Sequence, residues 1–267
     1  MSLSYLQSTS SLPCVTRTGT TGRWHPHANK IKTTLTNPHA NAAVSHTIVG
    51  LPPVDDQLSI GSCVFQSVRG AVWILANQNG DTREPLSQLH LYWIDRVRQG
   101  NENEDCGGFS ETAIESARTI GACRDSLWPY SEEGFMRDGI AVRPSIDALR
   151  DASDRRISQL SWFSCPTLVD VESALHVDHP IIFGTAVDST IQSYRPGQVL
   201  GAPNPRDIIG GHEMVIVGVD YEHGPRRWLI RNSWGAGYGE NGHLWVSDAF
   251  LTNPSAGGFY ALTRNDR

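Results

Sequence analysis

The chain has 267 residues, 39% apolar and 19% charged, which is typical of a soluble globular protein, and no run approaches the ~20 apolar residues of a membrane span. The first 54 residues hold four basic residues and no acid, so the other 213 hold 18 basic and 28 acidic residues, a net charge of −10 within a total of −6. A chain this acidic lacks the basic face that phosphate binding needs, so we expect neither a nucleic-acid partner nor a membrane partner.

Residues 1–44 are expected to form an N-terminal extension, because they lack periodicity and carry clusters of Gly, Pro, Asn and Thr. Their composition, rich in Ser and Thr and free of acids, is typical of a disordered tail, of organellar transit peptides and of export leaders. No cleavable signal peptide is visible, which predicts a cytoplasmic protein or one exported without cleavage. The histidines of residues 24–27, Trp-His-Pro-His, are interpreted as solvent-facing and not as metal ligands.

The rest of the chain changes period near its middle. Apolar residues at helical spacing predict a helix over residues 62–77, and similar patterns predict helices over 86–98, 110–119 and 145–155. The second half predicts one short helix near 169–175 and strands over 181–187, 214–221, 228–232 and 243–246. Helices followed by strands predict an α+β fold with a helical lobe at about 55–150 and a β lobe at about 151–267.

Three residues form a pattern typical of covalent catalysis. Cys63 lies at the predicted start of a helix, His212 follows it by 149 residues, and Asn232 follows His212 by 20. A cysteine nucleophile needs a base to take its proton and a third group to orient that base. The start of a helix favours the thiolate, because the unpaired N–H groups and the positive end of the dipole lie there.

This order and spacing resemble those of papain-like cysteine peptidases. The resemblance includes Gln57, six residues before the cysteine, the Asn-Ser-Trp-Gly run at 232–235 and the Trp-Pro-Tyr run at 128–130. Residues 52–57 read Pro-Pro-Val-Asp-Asp-Gln, which is similar to the bacterial branch of the family. The resemblance covers residues 45–267 and implies a two-lobed papain-like fold without a cofactor or metal.

The resemblance also implies a role for each catalytic residue. Cys63 would attack the peptide carbonyl and form an acyl-enzyme thioester, and His212 would protonate the leaving amine. Asn232 would orient the imidazole ring. Gln57 would donate its side-chain N–H to the oxyanion together with the backbone N–H of Cys63.

A second set of residues would bind the substrate. In the family, a glycine pair binds an extended peptide as an added strand, and a deep pocket selects one side chain. Gly107 and Gly108 would be that glycine pair. Gly184 would lie at the floor of the pocket and leave room for a bulky side chain, with Phe109 and Gly211 on its walls. Trp234 would lie on the leaving-group side of the cleft.

The five cysteines do not predict a disulfide framework, because their number is odd and Ile60 replaces a cysteine that many secreted relatives pair. A bond between Cys106 and Cys123 stays open beside the alternative of free buried thiols.

The function expected from the resemblance is that of a thiol endopeptidase acting on polypeptides, since no His-His occluding loop is evident. An acyl transferase or amidase would use the same triad, and an exported effector that only grips peptides is a third alternative. The extension has the opposite charge character to the rest of the chain, so we expect that part of residues 1–44 covers the cleft and lowers activity.

Overall fold

The computed structural model describes residues 12–16, 19–24 and 44–264. The histidines at positions 25 and 27, interpreted above as solvent-facing, lie outside these ranges. The described helices are α1 (Cys63–Gln78), α2 (Gln88–Gln99), α3 (Ser110–Thr119), α4 (Glu132–Phe135), α5 (Ile146–Asp154), α6 (Leu168–Leu175) and α7 (Asp248–Leu251). The described strands are β1 (Leu12–Thr16), β2 (Gly19–Trp24), β3 (His46–Thr47), β4 (Met136–Arg137), β5 (Ile140–Ala141), β6 (Leu160–Ser164), β7 (Ile181–Asp188), β8 (Val199–Leu200), β9 (Ile208–Asp220), β10 (Arg227–Arg231), β11 (His243–Ser247) and β12 (Gly257–Arg264).

Helix α1 lies at the centre of the helical half. Most of its apolar residues are buried, and Phe65 and Val68 are fully so, which means that the helix is covered on several sides by the core. Helix α2 begins at a serine cap, since Ser87 Oγ accepts a hydrogen bond from the His90 backbone at 3.2 Å. It ends at Gly100, whose φ of 71° suits a left-handed cap. None of the described helices is both long and apolar enough to cross a membrane.

The β half is built around β9. The main sheet runs in the order β6-β12-β7-β9-β10-β11-β8, and β9 pairs antiparallel with both of its neighbours on this path. In the register between β7 and β9, Thr185 lies opposite His212 and Gly184 lies opposite Glu213. This arrangement of helices followed by a mostly antiparallel sheet confirms the predicted α+β class.

Two strands lie within the segment that was expected to be an irregular extension. Strands β1 and β2 pair antiparallel and form the N-terminal hairpin, and β1 also pairs in parallel with β9 at Cys14 and Gly211. The sequence analysis predicts no strand over residues 12–16 or 19–24, so both strands are findings of the structure. Strand β1 is held both by β2 and by β9, almost 200 residues away, and local composition carries no trace of such a distant contact.

Several predicted boundaries agree with the structure within two residues, including those of α1, α3 and β7. Strand β9 is different, because it begins at Ile208 and not at 214, so His212 lies inside the strand. Gly210 and Gly211 lie outside the strand predicted from the sequence, but pairing with β7 continues through both of them. Strands β6 and β12 were not predicted, and they pair with each other across about 95 residues of chain.

Candidate active site

Cys63 is the first residue of α1 and is only 1% exposed. The turn that leads into it is held from both sides. The Asp105 carboxylate accepts hydrogen bonds from the Gly61 N–H at 3.0 and 2.9 Å, and the Tyr130 hydroxyl lies 2.5 Å from Ser62 Oγ. Tyr130, from the Trp-Pro-Tyr run, also donates to the Gln57 carbonyl at 2.9 Å. These contacts fix the sulfur at the end of the helix where the dipole favours an anion.

His212 and Asn232 form a hydrogen bond of 2.7 Å between Nε2 and Oδ1. Asn232 Oδ1 also accepts from the Ser233 backbone N–H at 2.8 Å, so this oxygen faces the ring and Nε2 carries the proton. The indole of Trp234 stacks on the imidazole with ring centroids 4.9 Å apart. Nδ1 of His212 has no nitrogen or oxygen partner among the described residues. A ring nitrogen of His212, Cys63 Sγ and Cys14 Sγ all lie within 4.8 Å of one another.

Gln57 is fully buried and its amide has one defined orientation. Its Oε1 accepts from the Ser233 hydroxyl at 2.7 Å, which leaves Nε2 to donate on the other side. There Nε2 reaches the Ile60 carbonyl at 3.1 Å, the Val15 carbonyl at 3.5 Å and Cys14 Sγ at 3.9 Å. The structure therefore places an N–H donor beside the thiols, and all four residues predicted to be catalytic lie at this one place.

Cys14 of the N-terminal hairpin lies in the same space, and sequence reasoning had assigned it no role. Its Sγ is 3.0 Å from Cys63 Sγ, and Cys14 has no exposed surface. A hydrogen bond from Cys63 lowers the pKa of Cys14 to about 6, with His212 and the Cys63 backbone acting in the same direction and burial opposing them. Burial and the contact with Cys14 raise the pKa of Cys63, so the two thiols titrate as one coupled pair.

A buried acid lies next to the predicted specificity pocket. Glu213 is directly opposite Gly184 in the sheet, and its carboxylate accepts a hydrogen bond from the Ser110 hydroxyl. Ser110 directly follows Phe109, a residue predicted for one wall of the pocket, and Gly184 is the residue predicted for its floor. Glu213 therefore lies next to both predicted parts of the pocket. Gly211, on the other predicted wall, carries the bridge to Cys14. The sequence did hold a signal for Glu213, since an acid directly after His212 interrupts an apolar strand.

The glycine pair is built into the helical half. Gly107 has a φ of 69°, and its N–H donates to the Tyr92 hydroxyl at 2.9 Å. A Cβ on Gly108 would lie 2.4 Å from Phe65, so no larger residue fits there. Because Tyr92 already holds the Gly107 N–H, a peptide would have to bond other backbone atoms of this pair, and the predicted substrate contact stays a prediction.

The other three cysteines, Cys106, Cys123 and Cys165, are free and buried. Cys106 and Cys123 therefore form no bond with each other in the structure. Burial raises the pKa of Cys106 to about 11 and those of Cys123 and Cys165 to about 12. These thiols are neutral at pH 7, in contrast to the pair in the cleft.

Comparisons with known proteins show the family to which the chain is similar. A model of the papain family of cysteine proteases matches residues 40–252. An uncharacterized peptidase C1-like protein of Acanthamoeba polyphaga mimivirus is 27% identical over 201 residues, 71% of this chain and 62% of that protein. A cysteine proteinase of Theileria annulata is 39% identical over 201 residues, 72% of this chain and 40% of that protein.

The chain thus spans from two fifths to about three fifths of the length of these two relatives. Among solved structures, xylellain, a cysteine protease from Xylella fastidiosa, superposes with a TM-score of 0.79 at 23% identity. That match covers 91% of this chain and 96% of xylellain, and it shows that the two chains share the papain-like fold. The extent of the family match identifies this chain as a member of the papain family of cysteine proteases.

Proposed function

We propose that this protein is a thiol endopeptidase whose nucleophile is Cys63. One observation carries the proposal: the imidazole of His212 is held at Nε2 by Asn232, 2.7 Å away, while Cys63 Sγ lies within 4.8 Å of a ring nitrogen. Asn232 and the stacked Trp234 fix the plane of the ring. A ring held in this way can protonate the leaving amine without reorienting, which is what acyl transfer from a peptide requires.

The reaction follows from the positions of these groups. With the hairpin lifted, Cys63 gives its proton to Nδ1 of His212, and the resulting thiolate attacks the peptide carbonyl. A C–S bond forms, the carbonyl oxygen becomes an oxyanion, and the C–N bond breaks when that oxyanion collapses. Gln57 Nε2 and the backbone N–H of Cys63 donate to that oxyanion, and His212 gives its proton to the departing amine. Water then attacks the thioester, His212 takes a proton from it, and the acid product leaves as Cys63 is restored.

The N-terminal hairpin holds the enzyme silent. The Cys14 and Val15 side chains are buried, and Cys14 Sγ lies 3.0 Å from Cys63 Sγ, so a peptide cannot reach the nucleophile while the hairpin is seated. The Gln57 amide donates toward the Val15 carbonyl at 3.5 Å, so the hairpin also occupies the predicted oxyanion donor. Four basic residues and no acid in the first 54 positions favour attraction to the remainder of the chain, whose net charge is −10.

The specificity pocket accepts a bulky side chain with a basic end. Gly184 leaves space at the predicted floor, and Glu213 places a buried carboxylate directly opposite it. A Lys or Arg side chain would bring a positive charge to that carboxylate. Hydrolysis of a peptide library should therefore be enriched for basic residues two positions before the cut, and the enrichment should fall in Glu213→Gln.

We further infer that the chain belongs with the bacterial members of the family. Support comes from the Pro-Pro-Val-Asp-Asp-Gln run at residues 52–57 and from the nearly complete superposition with the Xylella fastidiosa protein.

The test compares peptide hydrolysis by the full chain with that by Val15→Asp, which places a charge on a buried hairpin residue. We expect kcat/KM to rise at least tenfold in Val15→Asp and no hydrolysis in Val15→Asp combined with Cys63→Ala. Val49→Asp is the matched control, because Val49 is 77% exposed. An epoxide inhibitor should label Cys63 faster in Val15→Asp than in the full chain.

Three outcomes would count against the proposal in different ways. Hydrolysis that persists without Cys63 contradicts the nucleophile. Labelling of Cys63 without hydrolysis of any peptide, but with acyl transfer to amines or cleavage of small amides, points to the transferase or amidase alternative. Tight peptide binding with neither labelling nor turnover points to a binding module.

A further inference from the structure

We propose that Cys14 and Cys63 form a reversible disulfide bond, so that oxidation by a hydroperoxide locks the N-terminal hairpin in the cleft and a dithiol reductant releases it. The inference deepens the autoinhibition described above and rests on it. It makes Cys14 the resolving cysteine of the nucleophile.

The two sulfurs already lie close to bonding distance. Their separation of 3.0 Å is about 1 Å more than an S–S bond, so a small shift of the side chains is enough to join them. The backbone holds Cys14 in place, because β1 pairs with β9 at Gly211, the residue before His212. The other three cysteines are also buried, but none of them has a sulfur–sulfur contact among the described residues.

The charge on the pair suits sulfur chemistry. Cys14 Sγ is close to two N–H donors, the Gln57 side chain at 3.9 Å and the Cys63 backbone. These are the donors that the proposed mechanism uses for an oxyanion. Here they stabilise a thiolate next to a second thiol, and a thiolate is the form of cysteine that attacks another sulfur.

Cys14, Cys63 and His212 could also be read as three ligands of a metal ion, since their donor atoms lie within 4.8 Å of one another. The geometry argues against zinc. Two thiolates on a tetrahedral zinc, each at about 2.3 Å, lie about 3.8 Å apart. The observed 3.0 Å is shorter, and it lies between that separation and a covalent bond.

The oxidation proceeds in two balanced steps. With the hairpin lifted, the Cys63 thiolate attacks one oxygen of the hydroperoxide, an S–O bond forms, the O–O bond breaks, and hydroxide or alkoxide leaves and is protonated. When the hairpin returns, the Cys14 thiolate attacks Cys63 Sγ, an S–S bond forms, and the S–O bond breaks. The departing hydroxide takes a proton and leaves as water. In total, two thiols and one hydrogen peroxide give one disulfide and two waters.

Capture by Cys14 also protects the nucleophile. A sulfenic acid left on Cys63 can react with a second peroxide to give a sulfinic acid, which ordinary thiols do not reduce. The hairpin is tethered beside the site, so its thiol is available at a high effective concentration. Oxidative inactivation of the full chain should therefore be reversible.

The experiment treats the full chain with hydrogen peroxide, removes the peroxide, and measures intact mass and non-reduced peptide maps before and after dithiothreitol. We expect a loss of 2 Da and one cross-linked peptide joining Cys14 to Cys63, both reversed by the reductant. In Cys14→Ser we expect Cys63 to gain two oxygens, with no recovery. Cys165→Ser is the matched control and should behave like the unchanged chain, because Cys165 is a buried thiol outside the cleft.

Intact mass and peptide maps can be measured without peptide hydrolysis. The disulfide proposal and the peptidase proposal can therefore fail independently of each other. A cross-link in a protein that hydrolyses no peptide would overturn the peptidase assignment and leave the disulfide standing. Sulfinic acid on Cys63 at the same rate with and without Cys14 would overturn the disulfide, even if Val15→Asp activates the enzyme. One equivalent of tightly held zinc that protects both thiols from alkylation would also overturn it.

Discussion

Gln57 can serve as an oxyanion donor in only one of its two amide orientations. The hydroxyl of Ser233 donates to Oε1 at 2.7 Å, and the carbonyl of Ile60 accepts from Nε2 at 3.1 Å. The Ile60 contact selects this orientation, because reversing the amide would place Oε1 against the Ile60 carbonyl oxygen, and the Ser233 hydroxyl is able to donate to Oε1 as it stands. The donor is therefore fixed before a substrate arrives, which is how such donors are most effective.

Removing this donor should affect turnover more than binding. In the Val15→Asp background, Gln57→Ala should lower kcat by about 10²–10³ with little change in KM, because the lost hydrogen bond strengthens only as the oxyanion forms. Ser233→Ala should have a smaller effect, since Ile60 still holds Nε2. Steady-state kinetics on one peptide checks both, and an unchanged kcat in Gln57→Ala would remove Gln57 from the mechanism.

In the proposed mechanism, Asn232 acts on the sulfur only through His212. In Asn232→Ala the ring loses its 2.7 Å hydrogen bond but keeps the stacked Trp234, so kcat should fall on the order of 10² without reaching zero. Asn232→Asp keeps the acceptor and should retain more activity than Asn232→Ala at neutral pH. Equal kcat values for Asn232→Ala and the parent would contradict the orienting role.

At the scale of single elements, α6 shows how a short helix is held. Thr167 Oγ1 accepts from the Asp170 N–H at 3.2 Å, and the Asp170 carboxylate accepts from the Thr167 N–H at 3.0 Å. Thr167→Ala removes one bond of this capping box and should lower the free energy of unfolding by about 1 kcal/mol. Urea unfolding measures the difference, with Thr167→Ser as the control that keeps the cap. Equal midpoints for Thr167→Ala and the parent would mean that the box adds nothing to stability.

Single elements also differ in how well the sequence predicts them. Helices α1 and α3 follow their own apolar periodicity, so their bounds were predicted within one or two residues. Strands that pair at long range were harder. The glycines at 210 and 211 hid the first part of β9, and the N-terminal hairpin has no local pattern at all. The proposed catalytic residues come from their spacing in the sequence, whereas Cys14 could be placed only by a tertiary contact.

At the scale of the whole molecule, stability should depend on pH through buried histidines. His90 is 1% exposed, its Nδ1 accepts from the Cys123 N–H at 3.1 Å, and burial lowers its pKa to about 4. Below the usual pKa of 6.5, the unfolded chain binds a proton that the folded chain does not. The free energy of unfolding should therefore fall as pH drops from about 6.5 to about 4, by up to about 3 kcal/mol from this residue.

Denaturant unfolding at several pH values checks this expectation. His90→Asn keeps an acceptor for the Cys123 N–H but cannot be protonated, so its stability should change less over the same range. Burial also lowers the pKa values of His179 and His243, so part of the acid dependence should remain in the variant. Identical pH slopes for the variant and the parent would contradict the assignment to His90.

The position of the N-terminal hairpin in the cleft has a consequence for the preference between competing peptides. The hairpin lies over Cys63 itself and pairs with β9 at Gly211, so under the proposed autoinhibition it would have to leave before any peptide reacts. The fraction of open molecules then multiplies kcat/KM by the same factor for every peptide. The ratio of kcat/KM between two competing peptides should be equal in the full chain and in Val15→Asp. The hairpin would set the rate of cleavage for all peptides alike and would leave the preference between peptides unchanged.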